Sequence, residues 1–312
     1  MKKEKLKLKM KKTVEDGSVF EYEAEYEGDI VDGKPHGKGK MERRNGDVYE
    51  GDFVDGQFHG KGKYTDRWGN IYEGDYVEGK QTGKGKYTWA ENGEVYEGDW
   101  VNGGFHGKGK MTYRDKRVYE GDWTNDCLTG KGKMTWPDGD IYEGDFVKGY
   151  QHGKGKLTYQ GKTDLDGVIR IYEGDFVDGK MQGKGKLTID GSKYAGKTES
   201  GEYQGDDVYE GDFADGKRHG KGKMTWNNGD VYEGDWEDDK QHGKGKMTRN
   251  GAVYEGDFVT NWFEGKGKLT FPDGAVYEGD WDGGNMHGKG KMTYADGKVE
   301  EGEWEDGEFL GK

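Results

Sequence analysis

The string Tyr-Glu-Gly returns throughout this chain, and that recurrence limits its fold more than any other feature. Copies begin at Tyr26, Tyr49, Tyr72, Tyr96, Tyr119, Tyr142, Tyr172, Tyr209, Tyr232, Tyr254 and Tyr277, and a twelfth at Glu300 keeps Glu301-Gly302 without the tyrosine. The spacings are 23, 23, 24, 23, 23, 30, 37, 23, 22, 23 and 23 residues. A period of this kind marks an array in which each unit buries a face only by stacking on its neighbours.

Each unit reads as a β-hairpin. Tyr96 to Trp100 gives the first strand, Gly107 to Tyr113 the second, and Val-Asn-Gly-Gly-Phe-His the turn between them. Turns such as Asn45-Gly46 and Asp138-Gly139 follow the second strand. Helix signals are absent: there are no caps, no apolar stripe of period 3.6, and 61 glycines in 312 residues.

Strand alternation sorts the residues by face. Tyr96, Gly98 and Trp100 join Gly107, Gly109, Met111 and Tyr113 on one face. Glu97 and Asp99 fall opposite, beside Lys108, Lys110 and Thr112. A face of packed rings needs neighbours without side chains, which gives the glycines their role. The third repeat position is glycine in all twelve copies. The turn position of Gly103 becomes Asp126, Asp239 or Asn261 where it is not glycine, and Asp and Asn are the residues that best tolerate a left-handed backbone. Cys127 sits in one such turn as a lone thiol.

Composition narrows the function classes. Only 29% of the chain is hydrophobic and 36% is charged, which alone suggests disorder. Twenty-one Tyr, 11 Phe and 10 Trp contradict that and indicate a thin folded core. The net charge of −14 argues against nucleic-acid binding. No apolar run is long enough for a membrane span and no secretory signal is visible. One cysteine excludes an internal disulfide and a cysteine metal cluster, and a reducing compartment such as the cytoplasm fits best.

Three motifs invite chemistry, and the repeat explains each. Gly104 to Met111 approaches a nucleotide-binding loop, but Met111 occupies the Ser/Thr position and no helix follows. All seven histidines, among them His36, His106 and His287, hold one repeat position that Thr82, Thr129 and Gln182 also hold. Equivalent positions lie about 9.6 Å apart, too far to share a metal, so a turn hydrogen bond is expected. The carboxylates of Glu-Gly-Asp read as a solvated charge ladder with lysine, each pair contributing about 0.2–1 kcal/mol. No catalytic residue, cofactor or metal ligand emerges.

Surfaces remain. A single-layer ribbon leaves its aromatic rows partly open to solvent, and an open aromatic strip is a binding groove or an oligomer interface. The groove residues are Tyr49, Phe53, Tyr72, Tyr76, Tyr96, Trp100, Tyr119, Trp123, Tyr142, Phe146, Tyr232, Trp236, Tyr277 and Trp281. On the opposite face Lys38, Lys40, Lys108 and Lys110 are candidates for weak phosphoinositide contacts. The array departs from its period at 160–170 and at 190–206, read as loop insertions or as partner-docking sites; Tyr194 and Tyr203 resemble remnants of a further hairpin. Residues 1–25, opening MKKEKLKLKMKK, alternate lysine with apolar residues and read as a basic, cap-like half repeat. The last residues, Phe309 to Lys312, fall inside a second strand, either a short edge or a cut.

The combination Tyr-Glu-Gly-Asp-Trp, Asn/Asp-Gly-x-x-His, Gly-Lys-Gly-Lys-Met and Asp-Gly over residues 26–312 resembles the MORN repeat (membrane occupation and recognition nexus). The resemblance implies an all-β fold: an elongated, twisted, single-layer antiparallel sheet of about twelve hairpins. It implies a non-enzymatic structural scaffold or adaptor in the cytoplasm, in cytoskeletal or ciliary assemblies, that binds partner proteins or a second copy of itself through the groove. The alternatives are a phosphoinositide-binding or membrane-junction tether and the targeting region of a truncated enzyme. The departures at 160–170, 190–206 and Glu300 are expected to interrupt a continuous groove.

Overall fold

In a computed structural model the described residues are 4–13, 19–160, 168–190 and 205–311. Every regular element among them is a strand, 25 in all, numbered β1 to β25 in chain order. β1 (Glu4–Thr13) pairs with the first part of β2 (Val19–Val31), and β2 with β3 (Lys34–Arg43) makes the first of twelve hairpins; β24 (Val299–Glu305) with β25 (Glu308–Gly311) makes the last. All the pairings are antiparallel between strands consecutive in the chain. The strands fall into two compact units, residues 1–137 with 145–150, and residues 138–144 with 151–312. Each unit repeats the same hairpin. The proposed hairpin remnants at Tyr194 and Tyr203, and most of both insertions, lie outside the described residues.

The hairpin of β8 (Val95–Val101) and β9 (Gly104–Thr112) shows the local logic. Its turn is only two residues, Asn102 (φ 51°) and Gly103 (φ 89°). Positive φ at both central positions is the turn whose twist matches the flanking strands. The same geometry holds where glycine is replaced, at Asp126 (φ 64°), Asp239 (φ 67°) and Asn261 (φ 70°). The six-residue turn read from the sequence is therefore too long. Phe105 and His106 belong to the strand, with Phe105 opposite Trp100 and His106 opposite Asp99.

The register then shifts between Gly98 and Asp99. The extra residues of β9 bulge at Gly107 (φ 58°) and Lys108, and the Asp99 carboxylate closes the bulge by accepting the Lys108 N–H at 2.9 Å. Beyond the bulge Tyr96 faces Met111 and Gly98 faces Gly109. The next strand, β10 (Val118–Thr124), places Trp123 opposite Gly107 and Asp122 opposite Lys108. The sequence-read faces hold, with the bulge as the one irregularity.

The core is the tyrosine row. Tyr96 folds back over its own strand, and its hydroxyl donates to the Asp99 carbonyl at 2.9 Å. Its ring rests on the Gly98–Gly109 pair: a Cβ on Gly109 would lie 2.4 Å from the hydroxyl oxygen, and one on Gly98 2.5 Å from the Gly109 Cα. Trp100 and Trp123 flank the ring edge-on, at centroid distances of 5.4 and 5.2 Å. Trp100 Nε1–H donates to the Gly85 carbonyl at 3.0 Å, tying one hairpin to the previous one. In the first unit the alternation of the repeat tyrosine with a second ring (Phe, Tyr or Trp) runs from Tyr26 to Phe146.

In the second unit it runs from Tyr142 through Phe176, Tyr172, Phe213 and Tyr209 to Trp304. The insertions therefore leave the track intact, contrary to the sequence-based expectation. They attach where one hairpin connects to the next, after β13 (Tyr150–Tyr159) and after β15 (Lys180–Ile189).

Gly98→Ala is expected to destabilise the chain by about 1–3 kcal/mol, because both the Tyr96 hydroxyl and the facing backbone must move. Equilibrium urea unfolding measures this; an unchanged midpoint would show that the ring has slack.

Candidate protein-binding face

The aromatic face has two layers of side chains. The first-strand layer holds all fourteen residues assigned above to an open groove. Tyr49, Phe53, Tyr72, Tyr76, Tyr96, Trp100, Tyr119, Trp123, Tyr142, Phe146, Tyr232, Trp236, Tyr277 and Trp281 are 0–5% exposed. The exposure expected from a single-layer ribbon is thus corrected: these rings are the core. The reason is the short turn. It brings the residue before the histidine onto the aromatic face, where it covers the tyrosine. Phe105 stacks on Tyr96 at 3.9 Å and 16°, Phe58 on Tyr49 at 3.7 Å and 7°, and Phe263 on Tyr254 at 3.8 Å and 7°.

The outer layer comes from two positions of each second strand: the residue before the histidine, and the residue two beyond Met111 or its equivalent. Phe58, Trp89, Phe105 and Tyr113 are half-buried there, and Tyr87, which holds the Met111 position in its own repeat, is half-buried beside them. Tyr87 and Trp89 meet at 4.5 Å, and Trp89 meets Phe105 at 6.0 Å. This layer varies along the chain. Phe105 is replaced by Gln81, Leu128, Gln151, Met181, Arg218, Gln241 and Met286 in other repeats, while the tyrosine beneath is kept in eleven. Sequence reasoning placed Phe105 in the turn and missed it. Its parity with Gly107, Gly109 and Met111 was the available signal.

Burial leaves its mark on the tyrosines. Desolvation, reinforced by the charge of Asp99, pushes the Tyr96 phenol well up, and the same causes push Tyr277 up to about 12. In seven repeats the tyrosine hydroxyl also lies near the main-chain carbonyl of the histidine position, as Tyr96 to His106 at 3.5 Å and Tyr119 to Thr129 at 3.4 Å. The turn hydrogen bond expected at this position is made by two of its polar stand-ins: the Asp215 N–H donates to Gln182 Oε1 at 3.1 Å and the Gly283 N–H to Glu264 Oε2 at 3.0 Å, each in the turn of the next hairpin. The position sits in a strand, and the shared contact is made by its backbone, which threonine supplies equally. No cluster of three or more His, Cys, Asp or Glu among the described residues is placed to hold a metal ion.

The opposite face is a ladder of ion pairs. Lys38 meets Asp52 at 2.6 Å, Lys40 meets Glu50 at 3.4 Å, Lys108 meets Asp122 at 2.5 Å and Lys110 meets Glu120 at 2.6 Å. All four lysines considered for lipid phosphate are therefore engaged by carboxylates of the next hairpin. Between the Lys/Glu and Lys/Asp rows lies a shallow trough floored by Gly85, Gly98, Gly109 and Gly121. The Lys108 ammonium holds the Asp122 carboxyl below the usual carboxylate range, with burial opposing and the Lys131 N–H assisting.

This architecture is that of a tandem β-hairpin repeat protein, with the buried ring row and the forward Lys–Asp pair recurring from hairpin to hairpin. The family model described as MORN repeat matches eleven segments: 26–48, 49–71, 72–94, 96–116, 119–141, 142–163, 172–193, 209–231, 232–252, 254–276 and 277–299. The chain belongs to the MORN-repeat family. No curated protein was found to match it. MORN repeats are commonly scaffold modules that bind proteins or membranes, and are generally non-enzymatic. Among the described residues no helix is long and apolar enough to cross a membrane.

The ladder sets a pH dependence. A carboxyl held below its unfolded value adds stability that is fully present above that value and is lost as pH falls through the folded one. Asp99, Asp122 and Asp280 all lie on that side. The melting temperature is expected to be flat from about pH 7 to pH 5 and to fall below about pH 4. Lys108→Gln is expected to flatten the fall slightly, by removing one of the pairs. Calorimetry across this range checks both.

Proposed function

We propose that the chain is a non-enzymatic scaffold that grips a partner protein segment on the outer layer of its aromatic face. The observation that carries this is the division of that face. A buried row of repeat tyrosines alternating with Phe, Tyr or Trp supports a variable, half-exposed row in which Phe58, Tyr87, Trp89, Phe105 and Tyr113 gather in the first unit. Half-buried rings held rigid from below suit recognition, because little side-chain entropy is lost on contact and much apolar area is removed from water. The fourteen buried residues act here as the support, and the layer above them makes the contacts. The cytoskeletal or ciliary setting implied by the resemblance belongs to the same reading.

The test uses substitutions that the array already tolerates. Gln occupies the Phe105 position at Gln81, Gln151 and Gln241, and Arg occupies the Trp89 position at Arg43 and Arg249. A Phe105→Gln, Trp89→Arg chain should keep its fold, with a melting temperature within a few degrees of the native one. Its affinity for partners identified by proximity labelling should fall about tenfold or more. Trp100→Ala should instead cost about 3–5 kcal/mol of stability, as a buried ring removed from the core. Undiminished binding by the folded double variant would refute the reading.

A further inference from the structure

In three successive hairpins of the first unit the outer layer carries a ring at the same repeat position. Trp89, Tyr113 and Trp136 directly follow the second strands β7 (Lys80–Thr88), β9 and β11 (Cys127–Thr135), and all three are half-buried. The Trp89 N–H donates to the Glu94 carbonyl at 3.0 Å, and the Tyr113 N–H to the Arg117 carbonyl at 2.9 Å. Glu94 and Arg117 head the strands between, so the row across the sheet reads Trp89, Glu94, Tyr113, Arg117, Trp136. Strands are about 4.8 Å apart, so the rings recur every ~9.6 Å. That interval selects the backbone of a ligand lying along the row. A polyproline II helix rises about 3.1 Å per residue and returns each third side chain to the same side, a period of about 9.3 Å. An α-helix covers the interval in about 6.4 residues, which turns the next side chain away from the row. A β-strand covers it in about three residues, and its alternation points the third side chain to the far side.

Hydrogen bonding and charge point the same way. In the buried layer Trp100 and Trp123 donate their indole N–H to the carbonyls of Gly85 and Gly109. Among the described residues the indole N–H of Trp89 and of Trp136 has no such acceptor. A polyproline II backbone makes no internal hydrogen bonds, so its carbonyls are free to accept from them. Residues 88–95 hold Glu91 and Glu94 and no basic residue. Glu94 accepts the Arg114 main-chain N–H at 3.2 Å and makes no ion pair among the described residues. Arg117 by contrast is bonded to Asp115 at 2.7 Å. The Trp89 end of the row is therefore acidic and complements a basic residue. The face already seats one proline ring: Pro35 takes the Phe105 position in the first hairpin, opposite Ile30, and is buried.

We propose that the segment gripped by this face is proline-rich and in the polyproline II conformation. Proline at every third position meets Trp89, Tyr113 and Trp136 in turn, and a lysine or arginine beside the first proline meets Glu91 and Glu94. This rests on the reading of the aromatic face as the recognition surface, and adds the conformation and composition that the face selects. A proline-rich segment is ordered before it binds, because the ring fixes φ, so docking costs it little entropy. Aromatic-lined grooves are a recurrent solution for such ligands.

Fluorescence anisotropy of labelled peptides of about ten residues, enough for three turns of polyproline II, titrated with the full chain provides the test. The first peptide has an initial lysine and then proline at every third position. The second has the same composition with irregular proline spacing, and the third has glutamate in place of lysine. The first is expected to bind at least about tenfold more tightly than either of the others. Trp89→Phe keeps a ring and removes the N–H, and should weaken the first peptide about two- to tenfold with the melting temperature within a few degrees of the native one. Equal binding of the regular and irregular peptides overturns the proposal, and so does failure of all three to bind. If the partners found by proximity labelling are nevertheless lost in the Phe105→Gln, Trp89→Arg chain, the aromatic face stands as the recognition surface and only the polyproline II inference falls. Partners retained by that chain overturn both.

Discussion

Everything in this fold depends on one contact, a tyrosine ring laid flat on a pair of facing glycines. The hydroxyl of Tyr96 reaches the carbonyl three residues ahead, and the ring occupies the volume that two Cβ atoms would otherwise fill. That single arrangement fixes several features together. It demands glycine on both strands, it presents the ring edge-on to the second aromatic of its own and the next hairpin, and it closes the bulge side of the hairpin beside Asp99. Edge-on ring pairs add about 0.5–1.5 kcal/mol each beyond area burial. Their repetition allows a chain with only 29% hydrophobic residues to hold a core.

Two faces follow, with different freedoms. On the aromatic side the inner row is constant because a ring on a glycine pair tolerates few alternatives, while the row above it carries Phe, Gln, Leu, Met and Arg. On the charged side Lys61, Lys84 and Lys108 reach forward to Asp75, Asp99 and Asp122 of the next hairpin, so the ladder aligns neighbours. Structural constancy and chemical variety are thus separated by depth within each repeat. That separation is the physical basis for reading the outer layer as the recognition surface.

Much of this was legible in the sequence. Strand alternation placed Tyr96, Gly98, Trp100, Gly109 and Met111 on one face, and the substitution of Gly103 by Asp or Asn announced a left-handed turn. Three things were not legible. The bulge at Gly107 and Lys108 is invisible to a period-two pattern, because it changes the partner and not the spacing. The turn is shorter than its polar residues suggest, so Phe105 was assigned to a loop instead of the face. The exposure of the rings was misjudged because a single sheet has no second layer of backbone; the cover comes from side chains of the same sheet, which composition does not reveal. Where the period broke, the loop could be seen but not its harmlessness to the ring track between Phe176 and Phe213.

The central contact has a direct optical signature. Burial and the adjacent aspartate push the phenols of Tyr49, Tyr72, Tyr96, Tyr119 and Tyr232 far up, and Tyr277 to about 12. A group whose folded value is raised contributes stability that is present below its unfolded value and lost as pH rises through the folded one. An alkaline titration that follows phenolate absorbance and strand circular dichroism together therefore tests the account. The buried tyrosines should remain un-ionised well above about pH 10, then ionise in a step that coincides with loss of the strand signal. Gradual ionisation of most tyrosines near pH 10, with the sheet intact, would contradict it.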